Sequence, residues 1–570
     1  MKDMQNTMND GIGSNNNGPA LPPNPEAARR TVPSDVDNGR NSVKVVKEQG
    51  KHALHNVDGS QSLDEPNVHP GLAIRAALGM ITILLLVLMA VVLLLPIPSW
   101  LADPANGGLG VASRQVSQTD LTYYCPSRMA LSDSEKYGDS AFQQSEGDIA
   151  SSARFAAFGS VYQATVGTVG AGSEADSKTL TGDDSVNGAG VKTYSGSVDK
   201  GSNAFEARLL KAKSGTGAAA SVASWASVGD LKGLSASTCV TPSLEQDFLL
   251  GPTTTGSTQQ LSVANFSGKP TSLEIRIWST KHGSPLQLST GNVLNVGAHA
   301  EATQELSAAA PGNEALFVTV KSKETPIAAV VRNIELDGLS AKGSDYVAPL
   351  MPSAKRQYLP GISADDEVKL MARSARSTDL TLSWVDDQGD ARAKTEHLDA
   401  GKVSIVELGK APQNVSGLRT EADESVDVAA KVVRSSQSDT DFTYVDSAGA
   451  FAESAIVQPD HTDGTLSLLN TSSESAKAAL RGYDASGNPV GDKDIDVPAN
   501  AGLNIDAKDV GADAVMYTLK GDKRIVMGMR LKLQSGDDEL SSVATAYLSA
   551  SGLEPQSRKV WVQQDAGIVH

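Results

Sequence analysis

The feature that most constrains this chain is an uninterrupted apolar run from Ala76 to Leu95, in which Thr82 is the single polar side chain. A helix of about 20 residues rises about 30 Å, the hydrocarbon thickness of a lipid bilayer. A core helix of a globular protein is rarely apolar on every face over such a length. The run therefore predicts a transmembrane helix, which we assign to residues 75–97.

The charges beside the run predict its orientation. Arg75 abuts its N-terminal side, whereas residues 99–113 contain no Lys or Arg. Because basic residues flank the cytoplasmic side of a span, we expect a cytoplasmic N-terminus and an extracytoplasmic C-terminal region. A cleaved signal peptide is the alternative, but its apolar region has only about 7–15 residues and starts near the chain terminus. The prediction is a single-pass plasma-membrane protein, with the membrane as its first partner.

Composition narrows the remaining possibilities. Residues 1–74 are rich in Asn, Gly, Pro and Asp and lack a sustained apolar period, which predicts a disordered tail. The chain carries a net charge of −18, and such a field repels nucleic acid. We therefore expect no nucleic-acid partner.

The chain has two cysteines, Cys125 and Cys239, and both follow the apolar run. An even number confined to the translocated region favours a disulfide formed in an oxidising compartment. The alternative is two unrelated buried thiols. A bond closing a loop of about 100 residues stabilises a fold by up to ~4.7 kcal/mol in the chain-entropy model.

Three segments of the C-terminal region repeat one pattern. Each has an alternating strand, a Ser-rich turn, a second alternating strand and a turn that ends in Gly. The copies recur about every 100 residues, the size of an immunoglobulin-like domain. An aromatic residue near the end of the second strand is expected to fill the core rather than to form a ligand platform. The copies start at Leu261, Val368 and Leu466, and their aromatic residues are Trp278, Trp384 and Tyr483.

Strict alternation, β-branched residues and turn signals every 8–12 residues or so predict antiparallel sandwiches. The predicted fold class is mainly β, with tandem immunoglobulin-like antiparallel β-sandwich units behind a single transmembrane helix and a disordered N-terminal tail. The predicted domains are a cytoplasmic tail at 1–74, the transmembrane helix at 75–97, a stalk at 98–117, a β-rich disulfide-linked domain at 118–257, sandwich repeats at 258–345, 346–437 and 438–556, and a C-terminal tail at 557–570.

The sequence contains no GxSxG elbow, Walker loop, HExxH or CxxC motif. We therefore predict no catalytic residues, cofactor or metal site. Acidic clusters deserve a test, because glycosidases use two carboxyl groups. Turn formation explains the first cluster better, since Asp supplies turn hydrogen bonds, with weak Ca²⁺ binding as the alternative. The clusters are Asp386, Asp387 and Asp390, then Asp492, Asp494 and Asp496, and finally Asp537, Asp538 and Glu539.

Two sequences match the N-glycosylation pattern, at Asn265 and Asn470. They occupy equivalent positions in the first and third repeats, at the step from a strand into a turn. A structural role in that turn is therefore sufficient to explain both asparagines.

The sequence around the cysteines resembles an uncharacterised family of actinobacterial membrane-anchored envelope proteins. In that family a Cys, an acidic-aromatic step, a Gly-containing turn and a strand ending in Asn recur. The matching positions are Cys239, Glu245 to Phe248, Gly251 to Gly256 and Leu261 to Asn265. Phe248 stands where the family usually has Trp. The resemblance implies work on envelope polysaccharide and supplies no catalytic residue.

Two functions follow as expectations. The first is a non-enzymatic, single-pass envelope protein that presents its sandwich array for binding or scaffolding, with an envelope glycan or a membrane protein as partner. The alternative is an extracytoplasmic carbohydrate- or peptidoglycan-active enzyme with an unrecognised carboxylate pair. That chemistry requires two carboxyl groups in distinguishable environments, which the sequence does not reveal.

Overall fold

The computed structural model describes residues 84–85, 88–89, 111–132, 144–170, 177–182, 190–534 and 539–563. The chain divides into two compact parts, Met1–Gly107 and Gly108–His570. All strands described below belong to the second.

The predicted tail at 1–74 lies outside the described residues, and so does most of the predicted transmembrane helix. Leu84, Leu85, Leu88 and Met89 are described there, and they are helical and exposed. No helix among the described residues is long and apolar enough to cross a membrane. The prediction of a single-pass plasma-membrane protein with a cytoplasmic N-terminus is therefore corrected, because a span needs about 20 consecutive helical residues.

The strands of Gly108–His570 form four successive sandwich-like units, here called units 1 to 4. The first strand, β1 (Val111–Ser117), precedes unit 1. Unit 1 contains β2 (Asp120–Cys125), β3 (Ala150–Phe158), β4 (Val161–Thr168), β5 (Lys178–Thr179), β6 (Val191–Gly196), β7 (Asn203–Leu209), β8 (Gly217–Ala226) and β9 (Gly233–Thr238). Unit 2 contains β10 (Glu245–Leu250), β11 (Ser257–Asn265), β12 (Thr271–Ser279), β13 (Val293–Val296), β14 (Ala300–Glu305), α1 (Leu306–Ala309), β15 (Leu316–Ser322), β16 (Ala328–Asp337) and β17 (Ser340–Val347).

The second half of the chain continues in the same way. Unit 3 contains β18 (Ala354–Pro360), β19 (Glu367–Ser374), β20 (Thr378–Asp386), β21 (Gly389–Leu398), β22 (Val403–Lys410), β23 (Gly417–Ser435) and β24 (Thr440–Asp446). Unit 4 contains β25 (Glu453–Val457), β26 (Thr462–Asn470), β27 (Ala476–Tyr483), β28 (Pro489–Val497), β29 (Gly502–Asp506), a 3₁₀ turn (Ala507–Asp509), β30 (Met516–Gly521), β31 (Ile525–Leu533), α2 (Glu539–Val543), β32 (Ala546–Ser549) and β33 (Ser551–Gly552). The last strand is β34 (Ser557–Gln563).

All four units share one strand order. In units 1, 2 and 4 the first, sixth, third and fourth strands form one sheet, and the fifth, second, seventh and eighth form the other. These sheets are β2-β7-β4-β5 with β6-β3-β8-β9, β10-β15-β12-β13 with β14-β11-β16-β17, and β25-β30-β27-β28 with β29-β26-β31-β32. In unit 3 the sixth and seventh strands are continuous as β23, which joins both sheets. Unit 1, in which the sequence shows no repeat, is thus a fourth copy.

Alternation builds these strands as predicted. Along β12, Leu273, Ile275 and Ile277 are buried in unit 2, whereas Ser272 and Arg276 are exposed. All strand pairs described in the sheets are antiparallel, which confirms a mainly β, antiparallel fold.

The eighth strands of the units, β9, β17, β24 and β32, meet at a central junction that we call the hub. Asp345 of β17 accepts hydrogen bonds from the backbone N–H groups of Ala236 (3.2 Å) and Tyr444 (2.9 Å). Asp441 of β24 accepts one from Leu234 N–H at 3.0 Å. Ala236 and Leu234 belong to β9, an edge strand, so buried carboxylates satisfy amides that no neighbouring strand pairs.

Successive units contact each other around the hub. Tyr124 Oη of unit 1 donates to Glu301 of unit 2 at 2.9 Å. The guanidinium of Arg373 in unit 3 lies 4.4 Å from the Trp278 ring centre in unit 2. Polar and aromatic pairs therefore join the units, and the first of them starts from Tyr124, a buried core residue of unit 1.

The ring of contacts is closed by unit 4. Arg530 Nη1 of unit 4 lies 3.3 Å from Asp366 Oδ2 of unit 3, and both side chains are buried. Arg154 Nε of unit 1 donates to the Gln458 carbonyl of unit 4 at 3.0 Å. Unit 4 thus contacts unit 3 on one side and unit 1 on the other.

The two ends of Gly108–His570 also pair. Strands β1 and β34 form an antiparallel ribbon from Val111↔Gln563 to Ser117↔Ser557. These residues fall in the segments for which the sequence predicts a stalk and a tail, and where it shows no strand pattern.

The repeated aromatic residues pack at boundaries as well as in cores. Trp384 packs against the core of unit 3. Trp278 packs against the buried cluster that units 2 and 3 share, and it lies under Arg373 of unit 3. Tyr483 contacts Phe158 of unit 1, with ring centres 6.1 Å apart. Two of the three predicted core residues therefore join units.

Candidate functional site

A cleft of about 430 Å³ lies between units 1 and 4. Its floor is the outer face of the sheet β28-β27-β30-β25 in unit 4. Its walls come from the turns and loops of unit 1 that face this sheet. The lining residues are Phe158, Gly159, Gly190, Val191, Lys213, Ser214, Gly215, Glu453, Ala479, Arg481, Tyr483, Asp492, Thr518, Leu519, Lys520 and Leu553.

An apolar contact between the two units forms the inner end of the cleft. Phe158 and Val191 of unit 1 pack with Tyr483 and Met516 of unit 4 in one buried cluster. Small side chains allow this close approach, as at Ala219 of β8, which belongs to the same cluster. The cleft opens where this cluster ends and charged residues begin.

The loop wall depends on one glycine. Gly215 has φ +75°, a backbone conformation that favours glycine, and an added Cβ would collide with the Glu453 carboxylate. Its N–H donates to the Leu553 carbonyl at 3.0 Å, and Leu553 N–H donates to the Glu453 carbonyl at 2.8 Å. The loop of unit 1 is thereby fixed to the edge of the unit 4 sheet.

The floor carries two ion pairs on neighbouring strands. Arg481 Nε lies 2.5 Å from Asp492 Oδ1, and their side chains are 51% and 64% exposed. Lys520 Nζ lies 3.0 Å from Glu453 Oε1, and the lysine is 74% exposed. The hydrogen bond to Asp492 raises the pKa of Arg481 above its usual value. An exposed pair such as Arg481 with Asp492 adds little to stability.

The two carboxylates of the cleft belong to strands that lie three strand spacings apart. Asp492 on β28 is the neighbour of Arg481 on β27, and Arg481 is the neighbour of Thr518 on β30. Thr518 lies opposite Ala455 on β25, the strand that also carries Glu453. Three strand spacings amount to about 14 Å between the strand backbones. Each carboxylate is also occupied by a cation of its own sheet.

The other predicted acidic clusters have local roles where the structure describes them. Asp386 Oδ1 accepts hydrogen bonds from Gln388 N–H (2.8 Å) and Gly389 N–H (3.1 Å), which confirms the prediction of turn formation. Asp390 lies 2.9 Å from Arg419. Asp537 and Asp538 lie outside the described residues. Among the residues that are described, no three His, Cys, Asp or Glu side chains converge to hold a metal ion.

A further group of perturbed carboxylates lies at the hub. Burial raises the pKa of Asp345 to about 7, against hydrogen bonds from Thr443 and Tyr444 that lower it. Burial also raises the pKa of Asp446 to about 7. Asp345 binds amides of the protein itself, and both aspartates belong to hub strands, so we assign them to the fold rather than to a ligand site.

Both sequon asparagines are buried turn residues. Asn265 Nδ2 donates to the carbonyls of Lys269 and Gly297, each at 2.8 Å, and its Oδ1 accepts from Ser267. Asn470 makes the equivalent bond to Glu474 at 2.7 Å. Both side chains are fully buried, which confirms their structural role.

The predicted disulfide between Cys125 and Cys239 is present in the structure, with Cα atoms 4.5 Å apart. Cys125 ends β2 in one sheet of unit 1, and Cys239 follows β9 in the other. Both cysteines are buried. The bond therefore joins the two sheets of unit 1 next to the hub strand.

Residues 193–508 match a family described as a family of unknown function, DUF5719. This match covers more than half of the chain. The chain belongs to the DUF5719 family. The match runs from β6 in unit 1 to the 3₁₀ turn of unit 4, and it includes Lys213, Arg481 and Asp492 of the cleft. It confirms the prediction of an uncharacterised family at that level, and it names no activity.

A comparison with curated proteins found no match. Sequence reasoning had identified one charged residue of the cleft, Asp492, as part of an acidic cluster. It missed Lys213, Glu453, Arg481 and Lys520, because these residues are far apart in sequence and form no motif. Arg481 and Lys520 occupy exposed strand positions, whereas Lys213 lies in a loop and Glu453 is mostly buried, so they share no sequence signal.

Proposed function

We propose that this protein is a non-enzymatic, extracytoplasmic binding protein of the cell envelope, and that its ligand is a glycan held in the cleft between units 1 and 4. The observation that carries the proposal is the cleft itself. Its volume of about 430 Å³ falls within the range of about 300–1,000 Å³ for ligand sites, which often lie at domain boundaries.

The chemistry of the lining favours binding over catalysis. Thr518, Ser214 and the charged side chains can form hydrogen bonds with hydroxyl groups, whereas the described lining residues include no His or Cys. Both carboxylates are engaged in ion pairs, and the strands that carry them lie about 14 Å apart at the backbone. A sugar ligand offers many hydroxyl groups to such a surface. Hydrolysis of its acetal bond requires two carboxyl groups about 5–10 Å apart.

The disulfide supports an extracytoplasmic location. Structural disulfides form in oxidising environments outside the cytoplasm, and the bond between Cys125 and Cys239 is buried between two sheets. The units have about 100 residues and two antiparallel sheets each, which supports their assignment as immunoglobulin-like modules. Such modules are common in exported binding proteins.

A steric block tests the proposal. Ala479 is exposed at the centre of the cleft floor, so Ala479→Trp fills the cleft without removing a charge. We expect the full-length protein to bind at least one member of an envelope-glycan array, and Ala479→Trp to weaken that binding at least about ten-fold. Ala391→Trp, at an exposed strand position of unit 3, is the matched control and keeps wild-type affinity. A wild-type protein that binds no glycan, or an Ala479→Trp variant that binds normally, would overturn the proposal.

A further inference from the structure

We propose that the cleft selects acidic glycans, whose sugars carry carboxylate groups, over neutral ones. This inference rests on the proposed function and adds the chemical class of its ligand. It starts from the charge of the cleft, which has the opposite sign to that of the chain. The whole chain has a net charge of −18, yet the cleft is lined by three cations, Lys213, Arg481 and Lys520, and by two anions, Glu453 and Asp492.

The cations of the cleft keep donors free for a ligand. A lysine ammonium has three N–H donors, and Lys520 uses one with Glu453. In the part of the chain that the structure describes, Lys213 has no side-chain partner. Because these groups are exposed and already beside water, a ligand carboxylate binds them without burying an unpaired charge.

The positions of the cations suit an extended ligand with repeated anionic groups. Arg481 lies opposite Thr518, and Lys520 is two residues further along β30. Such diagonal neighbours lie about 7–8 Å apart at the backbone. Between them Ala479, which pairs with Lys520, leaves a shallow space above the sheet. Lys213 faces this floor from the loop of unit 1, so cations are present on two sides.

The negative charge around the cleft limits which ligands can enter it. Asp492, Asp494 and Asp496 alternate along the edge strand β28 and are all exposed. A dense polyanion such as nucleic acid would be repelled by this row and by the net charge of the protein. An acidic glycan has fewer charges and many hydroxyl groups, and these can face the acidic row.

Binding measurements with the full-length protein test the inference. The probes are oligogalacturonate and oligoglucuronate, each compared with its own methyl ester, which has the same sugars without charge. We expect an acidic form to bind at least about five-fold more tightly than its ester, with weaker binding at high salt. Lys520→Gln and Lys213→Gln should each weaken this binding about two- to five-fold. Lys532→Gln, which removes an exposed lysine from the other sheet of unit 4, is the matched control and should have no effect.

The outcomes separate the two proposals. Equal binding of acid and ester, or binding of neutral glycans alone, overturns the acidic class and leaves the binding function in place, provided that Ala479→Trp still blocks the cleft. Lysine variants that bind the acidic probe normally also overturn the inference. Failure of both acidic probes in a protein that binds no glycan on the array overturns the inference and the proposed function together.

Discussion

The hub and the cleft both bring charged residues together where units meet, but they treat those charges differently. At the hub, Asp345 is 1% exposed, and its carboxylate accepts hydrogen bonds from three groups of the protein. In the cleft, Lys520 is 74% exposed and has one partner. The hub uses its charges to satisfy its own backbone, whereas the cleft leaves donors free.

The difference follows from solvent access. A buried charge must be satisfied by the protein, because an unpaired one costs several kcal/mol. An exposed charge is satisfied by water, which a ligand can replace. Substitutions at the hub should therefore change stability, and those in the cleft should change binding.

The largest effect is expected from the buried arginine beside the hub. Arg530 Nε donates to Thr545 Oγ1 at 2.7 Å, and its Nη1 donates to the Gly361 carbonyl at 2.9 Å. Arg530→Met removes these bonds and leaves Asp366, which is fully buried, with fewer partners. We expect the free energy of unfolding, measured by urea denaturation, to fall by about 3–5 kcal/mol.

The same substitution in the cleft is the control. Arg481→Met removes an exposed guanidinium and should lower the free energy of unfolding by less than about 1 kcal/mol. Equal effects of the two substitutions would contradict the distinction between hub and cleft.

The disulfide should have the next largest effect, because it joins the two sheets of unit 1 beside hub strand β9. Cys125→Ser or Cys239→Ser should each destabilise unit 1 by about 2–5 kcal/mol. Protection of backbone amides from hydrogen exchange should fall in residues 126–238, while residues 466–533 of unit 4 stay protected. The denatured, unreduced wild-type protein should not react with maleimide. Two freely labelled thiols would show that the bond is absent.

A smaller, pH-dependent effect is expected at Asp446, at the end of hub strand β24. Its Oδ1 is buried without a hydrogen-bond partner among the described residues, and burial raises its pKa to about 7. The folded protein thus holds this proton more tightly than the unfolded chain does. The stabilisation is fully present below about pH 4 and is lost as the pH rises through about 7.

The test is Asp446→Asn, which is neutral at every pH. The variant should match the wild type near pH 4 and exceed its free energy of unfolding by about 1–3 kcal/mol at pH 8. Asp148→Asn is the contrasting control, because hydrogen bonds from Ser227 lower the pKa of Asp148. The Asp148 carboxylate stabilises the fold at pH values above its usual pKa. The Asp148→Asn variant should therefore have a lower free energy of unfolding than the wild type at neutral pH. If Asp446→Asn and the wild type have the same free energy of unfolding at pH 8, the buried charge does not destabilise the fold.

Local pattern predicted the strands but not the way in which units meet. The alternation of Leu273, Ile275 and Ile277 identifies a strand with one buried face. Strand β8 instead reads GAAASVASWA and is buried on both faces, because unit 4 covers its second face. The sequence predicts strands in this region, but the small residues of β8 do not reproduce the repeat of the later units, so the fourth copy is not recognised from the sequence.

The sites that combine distant residues were also beyond sequence reasoning. The disulfide was predictable because only one pairing of two cysteines exists within the chain. The cleft was not, because Lys213 and Lys520 come together through packing of the first unit against the last. Asp345 and Asp441 give no sequence signal either, since a buried aspartate that caps an edge strand looks like any surface aspartate.

The smallest effect on stability is expected at the ion pair of the cleft, and it sharpens the comparison most. Asp492 is 64% exposed and holds Arg481 Nε at 2.5 Å. Asp492→Asn removes an anion from the lining and frees the guanidinium for a ligand carboxylate. The free energy of unfolding should change by less than about 1 kcal/mol, while oligogalacturonate should bind about two- to five-fold more tightly. Asp366→Asn, at the buried pair beside the hub, should do the reverse, lowering stability and leaving affinity unchanged in the fraction that folds. Calorimetric titration and urea denaturation of both variants check this, and weaker binding by Asp492→Asn would show that the carboxylate positions Arg481 for the ligand instead of competing with it.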